Sequence, residues 1–195
     1  MSKTFSAILV SIALAALCAN TACSNAVTAQ AAVKEGKDRK PAPPFTLKDS
    51  SGESVQLAKY KGKVVLLDFW ATWCAPCKVE IPWFMEFQQQ FKDRGFEVVG
   101  VSMDEDGWSV VKPYIEQLKI NYRILLGNDE VGQLYGGVDS LPTTFLIDRQ
   151  GKIASVHVGL ERGKEDFRND IVKLLETSHA AGGAAPRDTL LASAK

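Results

Sequence analysis

Residues 64–77 read VVLLDFWATWCAPC and combine two different patterns. The first seven residues are nearly all apolar, which is typical of a strand buried on both faces of a sheet. After the two cysteines, apolar side chains recur at helical spacing as far as Phe91, with Gly95 as a stop signal. This stretch therefore predicts a buried strand that leads, through a loop carrying two cysteines, into an amphipathic helix.

The rest of the chain continues this alternation of strands and helices. Alternating and helical apolar patterns predict strands at 45–47, 55–57, 96–103, 122–126, 143–147 and 152–158, and helices at 108–118, 130–135 and 164–175. Strands that alternate with helices, and end in a hairpin followed by a helix, are expected to form an α/β fold. Its central sheet should be mixed, with an antiparallel edge and flanking helices.

The N-terminus has the pattern of an export signal. Lys3 precedes an apolar run at 5–19, which is shorter than the about 20 apolar residues of a membrane-spanning helix. We therefore expect an exported, periplasmic protein. Two forms of membrane attachment stay open: an uncleaved signal that acts as an anchor, and a lipid on Cys23. Asn20 speaks against the lipid, because lipoprotein signals usually have an aliphatic residue at that position.

Composition sets the other boundaries. Two segments are rich in small and polar residues without an apolar period, which is typical of linkers and tails. The chain is thus divided into a signal peptide at 1–29, a linker at 30–43, a single domain at 44–177 and a flexible tail at 178–195.

Charge and cysteine content exclude several classes of function. The 23 basic and 23 acidic residues leave no net charge, so we expect no nucleic-acid partner. Four cysteines are too few for a disulfide scaffold in a chain of 195 residues. We also expect no metal, because zinc would need ligands beyond Cys74 and Cys77. The available histidines are His157, expected at the surface of a strand, and His179 in the predicted tail.

The position of the cysteine pair predicts its chemistry. Free backbone N–H groups and the helix dipole stabilise a thiolate on Cys74 at the start of the helix. A thiolate is the nucleophile of disulfide exchange, and Cys77, one turn later, can attack the mixed disulfide and release the product. Pro76 is compatible with the first helical turn, where its missing N–H has no partner to lose.

The residues around this pair resemble thioredoxins, and the chain is similar in particular to the exported TlpA/ResA-like thioredoxins. The resemblance covers residues 44–176 and is carried by VVLLDFWATWCAPC with Lys78, by PFTL at 44–47, by YKGK at 60–63, by the helix–strand insertion at 104–126 and by LPTTFLID at 141–148. It implies a thioredoxin fold with an N-terminal β-hairpin and a central helix–strand insertion. It implies no cofactor besides a redox-active Cys74–Cys77 disulfide.

The resemblance also implies roles for single residues. Pro142 is expected to be cis and to lie against the cysteine pair, with the Leu141 backbone pairing with an extended substrate segment. Trp73 and Pro76 are expected on the surface that contacts the substrate.

Two acids are candidates for proton transfer with Cys77. Asp68 lies on a strand built for burial, which raises a carboxyl pKa, and Glu80 lies one turn after Cys77. Exported relatives commonly have Asn at the strand position, so the main proton acceptor stays open between the two acids.

The expected function is thiol–disulfide exchange with protein thiols, in the direction of a reductase. The resemblance points to oxidised proteins such as apocytochrome c, and a reductase in the oxidising periplasm requires a membrane electron donor. A peroxiredoxin-like peroxidase is one alternative, but Ala71 and Leu67 stand where it would need Thr and Pro. A thioredoxin-fold binding module with a redox-inert disulfide is the other.

Overall fold

The computed structural model describes residues 33–34 and 36–180, with the side chains of 178–180 excepted. Its strands are β1 (Thr46–Asp49), β2 (Ser54–Gln56), β3 (Val64–Trp70), β4 (Phe96–Ser102), β5 (Arg123–Leu126), β6 (Thr143–Ile147) and β7 (Ile153–Val158). Its helices are α1 (Ala75–Phe91), α2 (Trp108–Leu118), α3 (Asp129–Leu134) and α4 (Lys164–Ala180). Each predicted strand and helix is present, with ends that differ by a few residues.

The strands form one mixed sheet in the order β2-β1-β5-β4-β3-β6-β7. The three central strands β5, β4 and β3 are parallel, because helical crossovers connect them, and the pairs on either side are antiparallel. The N-terminal hairpin β1–β2 pairs with β5, the strand of the insertion. The thioredoxin fold, with the added hairpin and insertion, is confirmed.

Apolar cores lie on both faces of the sheet, and β3 contributes to both. Leu66 and Trp70 pack with apolar residues of α1, α2 and α4. Leu67 and Phe69 pack with the hairpin and α3 on the opposite face. Because side chains alternate along a strand, Asp68 lies on the same face as Leu66 and Trp70, beneath α1.

The segment at 30–43 differs from the predicted linker, because its described residues 33–34 and 36–43 bind along β7. Val33 is buried in the core of the helical face. The backbone of Lys34 donates to Ala154, and Ile153 donates to Lys40. The half-buried Arg39 forms an ion pair with Asp148 at 2.9 Å. β7 is the edge of the sheet, so its unpaired backbone groups provide partners for a segment that has no apolar period of its own.

The ends of the chain are only partly covered by the structure. Helix α4 continues to Ala180, past the predicted end at 175 and into the predicted tail. The signal peptide predicted at 1–29 and the tail beyond 180 lie outside the described residues. Within the described residues, none of the helices combines the length and the hydropathy that crossing a bilayer requires.

Candidate active site

The cysteine pair lies at the junction of β3 and α1. Cys74 is the N-cap of α1, and a disulfide bond joins it to Cys77. The backbone N–H of Cys77 points at Cys74 Sγ, with a distance of 3.2 Å between nitrogen and sulfur. Pro76 occupies the first turn of the helix, as expected for a residue without an N–H. The start of α1 therefore directs a backbone donor and the positive end of the helix dipole at the first sulfur.

Asp104, which follows the neighbouring strand β4, holds the loop before the cysteines. Asp104 accepts hydrogen bonds from the Thr72 backbone at 3.0 Å and from Thr72 Oγ1 at 2.5 Å. It also accepts one from Ser102 Oγ at 2.8 Å. Asp104 is not among the site residues predicted from the sequence. The signal that could have identified it is topological, since the carboxyl ends of the parallel strands β3 and β4 meet at one edge of the sheet.

Around the disulfide, one aromatic side chain is strongly exposed. Trp73 is 69% exposed, whereas Cys74 and Cys77 are buried in the oxidised protein. Pro76 is half-buried beside them. Trp73, predicted to face the substrate, thus presents an exposed indole next to Cys74. That indole is available for contact with another protein.

The loop at Leu141 and Pro142 reaches the same edge of the sheet. The peptide bond between the two residues is cis, as predicted. In the antiparallel register Phe69 pairs with Thr143, which places Pro142 opposite Trp70 at the end of β3. The carbonyl of Pro142 accepts a hydrogen bond from Gly159 at 2.8 Å. The cis-proline loop therefore ends, at the start of β6, beside the point where the cysteine loop leaves β3.

Both predicted acids are buried between β3 and α1, Asp68 on the strand and Glu80 on the helix. Asp68 and Glu80 are each 1% exposed. Burial raises the pKa of Asp68 to about 7, against the lowering effect of a hydrogen bond from Thr144 Oγ1 at 3.1 Å. Burial, reinforced by the charge of Asp68, raises the pKa of Glu80 to about 8. Both Glu80 oxygens are without a hydrogen-bond partner among the described residues. Two carboxyls that ionise near neutral pH can each exchange a proton there.

The expectation that His157 lies at the surface is wrong. The side chain is buried, its ring lies 4.7 Å from that of Phe167 on α4, and its Nε2 is 3.1 Å from Ser155 Oγ. Burial lowers the pKa of His157 to about 4, so the ring is neutral. Helix α4 covers this face of β7, and the local alternation of the strand does not report a helix that packs from a distant part of the chain.

The fold and the cysteine pair together define a thiol-disulfide oxidoreductase with a thioredoxin fold. A sequence profile of the AhpC/TSA family matches residues 39–156, which include β3, the cysteine loop and the cis-proline loop. The chain belongs to the AhpC/TSA family.

Relatives and solved structures agree on the activity. The thiol-disulfide oxidoreductase ResA of Bacillus subtilis (strain 168) is 36% identical over 160 residues, which cover 81% of this chain and 86% of that protein. A thiol:disulfide interchange protein of the thioredoxin family from Chlorobium tepidum TLS is 33% identical, with a TM-score of 0.64, and covers 70% of this chain and 97% of its own. A thiol:disulfide interchange protein from Bacteroides sp. is 31% identical, with a TM-score of 0.62, and covers 77% and 94%. The resemblance to TlpA/ResA-like thioredoxins is confirmed, and the protein is a thiol-disulfide oxidoreductase of the ResA type.

Proposed function

We propose that Cys74 and Cys77 form the redox-active pair, that they work without a metal or further cofactor, and that they reduce disulfides in selected proteins. The observation that carries this proposal is the N-cap position of Cys74, with the Cys77 N–H at 3.2 Å from its sulfur. A thiolate at a helix start has a lowered pKa and is therefore available as a nucleophile at neutral pH.

The cycle begins with the reduced dithiol. The Cys74 thiolate attacks one sulfur of a substrate disulfide, forms a mixed disulfide, and the other substrate sulfur leaves as a thiolate that takes up a proton. Cys77 then loses its proton and attacks Cys74 Sγ, which releases the second substrate thiol. Two electrons pass from the protein to the substrate, and the Cys74–Cys77 disulfide remains to be reduced by an electron donor.

The proton of Cys77 requires an acceptor. Asp68 and Glu80 are the proposed acceptors. Asp68 is buried beneath the helix that carries Cys77, Glu80 is buried on that helix one turn after Cys77, and both have pKa values near neutral pH. A base of this strength can take a thiol proton and later return it, which a carboxylate with an ordinary low pKa does poorly.

The proposed substrate surface surrounds the disulfide. Trp73 and Pro76 supply apolar contact from the cysteine loop. The backbone of Leu141, which precedes the cis Pro142, supplies the groups on which an extended substrate segment can pair in the manner of an added strand.

The choice of reductase rather than oxidase rests on the resemblance to TlpA/ResA-like thioredoxins. Apocytochrome c, which must have free thiols before haem attachment, is the proposed substrate. We place the protein in the periplasm by the signal pattern at 1–29, in soluble form or attached through an uncleaved signal or a lipid on Cys23. A reductase in this oxidising compartment would draw its electrons from a membrane donor.

Insulin reduction by dithiothreitol tests the activity. The wild-type protein is expected to accelerate the reaction, and Cys74→Ser to remove the acceleration. Cys77→Ser keeps the nucleophile and is expected to accumulate a mixed disulfide, which makes it the matched control. Turnover that survives in Cys74→Ser would support the binding-module alternative, and consumption of peroxide by the reduced protein would support a peroxidase.

A redox titration of the cysteine pair tests the direction. A potential near about −270 mV, the value of thioredoxin, is expected for a reductase. A value near about −120 mV would instead indicate an oxidase.

A further inference from the structure

We propose that the hydroxyl of Tyr122 is a positioning group for the buried acid pair, supplied by the helix–strand insertion. The proposal deepens the proposed function and rests on its assignment of Asp68 and Glu80 as proton acceptors. When Asp68 or Glu80 ionises, the Tyr122 hydroxyl donates a hydrogen bond to its carboxylate. It thereby lowers the pH at which the acids ionise.

The sheet brings Tyr122 alongside Asp68 through a glycine. Gly100 on β4 pairs with Asp68 on one side and with Ile124 of β5 on the other. Tyr122 comes directly before β5 and lies on the same face as Ile124, in the core beneath the helices. It therefore approaches Asp68 across the strand that separates them.

Gly100 leaves the space that the tyrosine ring occupies. A Cβ atom at this position would lie 3.3 Å from Tyr122 Cε2, 2.9 Å from Trp70 Nε1 and 2.6 Å from Ile124 Cδ1. The tyrosine ring thus lies over the glycine, between its own strand and Asp68. A larger residue at 100 would close this approach.

The polar atoms buried between the sheet and α1 include hydrogen-bond donors and acceptors that lack partners among the described residues. Tyr122 Oη, Trp70 Nε1 and both oxygens of Glu80 are buried, and no hydrogen bond reaches any of them from the described part of the chain. A buried polar group without a partner costs about 1–3 kcal/mol, so native proteins rarely leave several of them together. Phenol and indole are donors, and the carboxylates are acceptors, so the set is complementary.

The surroundings of Tyr122 keep its hydroxyl protonated. Burial first, and then the charge of Asp68 with smaller contributions from Tyr114 and Glu80, raises the pKa of Tyr122 well above its usual range. The phenol is therefore a donor throughout the pH range in which the acids titrate.

Groups from three other elements interact with Asp68: Glu80 from α1, Thr144 from β6 and Tyr122 from the insertion. A hydrogen bond to the ionised form lowers a carboxyl pKa. Loss of the phenol should therefore raise the pH at which the pair ionises.

The test is Tyr122→Phe, which removes one oxygen and keeps the ring over Gly100. The carboxyl C=O stretching bands of the oxidised protein are followed by infrared difference spectroscopy between pH 5 and pH 10, and Asp68→Asn and Glu80→Gln assign the bands. The ionisation midpoint is expected to rise by about one pH unit, the size of an ordinary charged hydrogen-bond effect.

The matched control is Tyr60→Phe. Tyr60 is also a buried tyrosine whose hydroxyl lacks a hydrogen-bond partner among the described residues, but it packs in the core on the opposite face. Its substitution should leave the midpoint in place. An unchanged midpoint in Tyr122→Phe, or an equal rise in both variants, would overturn the proposal.

A second measurement separates this proposal from the proposed function. The rate at which Cys77 resolves a mixed disulfide is measured against pH in the same variants, and its midpoint should rise with the infrared midpoint. A rise of the infrared midpoint without a change in the rate profile would refute the proton-acceptor role while upholding the contact between Tyr122 and the acids.

Discussion

Replacing Asp68 by Asn is expected to stabilise the oxidised protein at alkaline pH and to change its stability little near pH 4. Burial raises the pKa of Asp68 from 3.8 to about 7. The unfolded chain releases this proton near pH 4, and the folded protein keeps it until about pH 7. The folded state therefore binds more protons in between, and the free energy of unfolding falls as the pH rises. Asn occupies the same space and carries no charge.

The expected size follows from the shift. One pKa unit corresponds to about 1.4 kcal/mol, so three units correspond to about 4 kcal/mol once Asp68 is fully ionised. At pH 5 the destabilisation of the folded state by the raised pKa of Asp68 has reached only part of this value. The stabilisation by Asn should therefore be about 3 kcal/mol larger at pH 9 than at pH 5.

Urea denaturation followed by circular dichroism at pH 5 and pH 9 measures this difference. The exposed Asp93, changed to Asn, is the matched control, because it removes the same charge from a solvated position. If Asp68→Asn and the wild type lost the same free energy of unfolding between the two pH values, the carboxyl would not be carrying a burial penalty, and the reasoning would be refuted.

Three further substitutions test other parts of the structure. Trp73→Ala should leave stability within about 0.5 kcal/mol, because the side chain is exposed, and should slow insulin reduction far more than exchange with a small disulfide; equal slowing of both would contradict a substrate-binding role. His157→Gln should weaken the acid sensitivity of folding. The buried imidazole, with a pKa lowered to about 4, costs the wild type about 3 kcal/mol as the pH falls from 6.5 to 4, measurable by urea titration, and an unchanged loss would count against a buried neutral ring. Gly100→Ala should destabilise by about 1–3 kcal/mol through contact with Ile124, and an unaltered denaturation midpoint would show that the space is open.

The parts of the fold that sequence predicts are those with a local signal. The buried strand, the cysteine loop and α1 are consecutive in the chain, and their apolar periods differ clearly. The cis-proline loop and the insertion were available through the resemblance. By contrast, the segment around Val33 and Arg39 has no period, and what orders it is the unpaired edge of β7. That edge is a product of the completed sheet, so composition alone predicted a linker.

The same distinction applies to the site. Asp68 and Glu80 could be chosen from the sequence because an acid within an apolar strand, and an acid one turn after a cysteine, are local features. The donors around them are not local. Thr144, which donates to Asp68, and Tyr122, which we propose as a second donor, come near the acids only through the strand order β5-β4-β3-β6, which no single segment encodes. The position of His157 was predicted wrongly for the same reason. The alternation of its strand is a local pattern and predicted a surface position, whereas the helix that covers it, α4, comes from a later part of the chain.

Which of the two acids accepts the proton of Cys77 can be decided by comparing single variants. The charge of Asp68 raises the pKa of Glu80, so Asp68→Asn should lower the pKa of Glu80 below about 8. The charge of Glu80 does not contribute to the raised pKa of Asp68, so this pKa should stay near 7 in Glu80→Gln. If Glu80 is the acceptor, the pH midpoint of mixed-disulfide resolution falls in Asp68→Asn, and resolution slows severely in Glu80→Gln. If Asp68 is the acceptor, resolution slows severely in Asp68→Asn, and the midpoint near 7 persists in Glu80→Gln. A double variant with wild-type rate and profile would remove both acids from the mechanism, because no buried base would then be required to ionise Cys77.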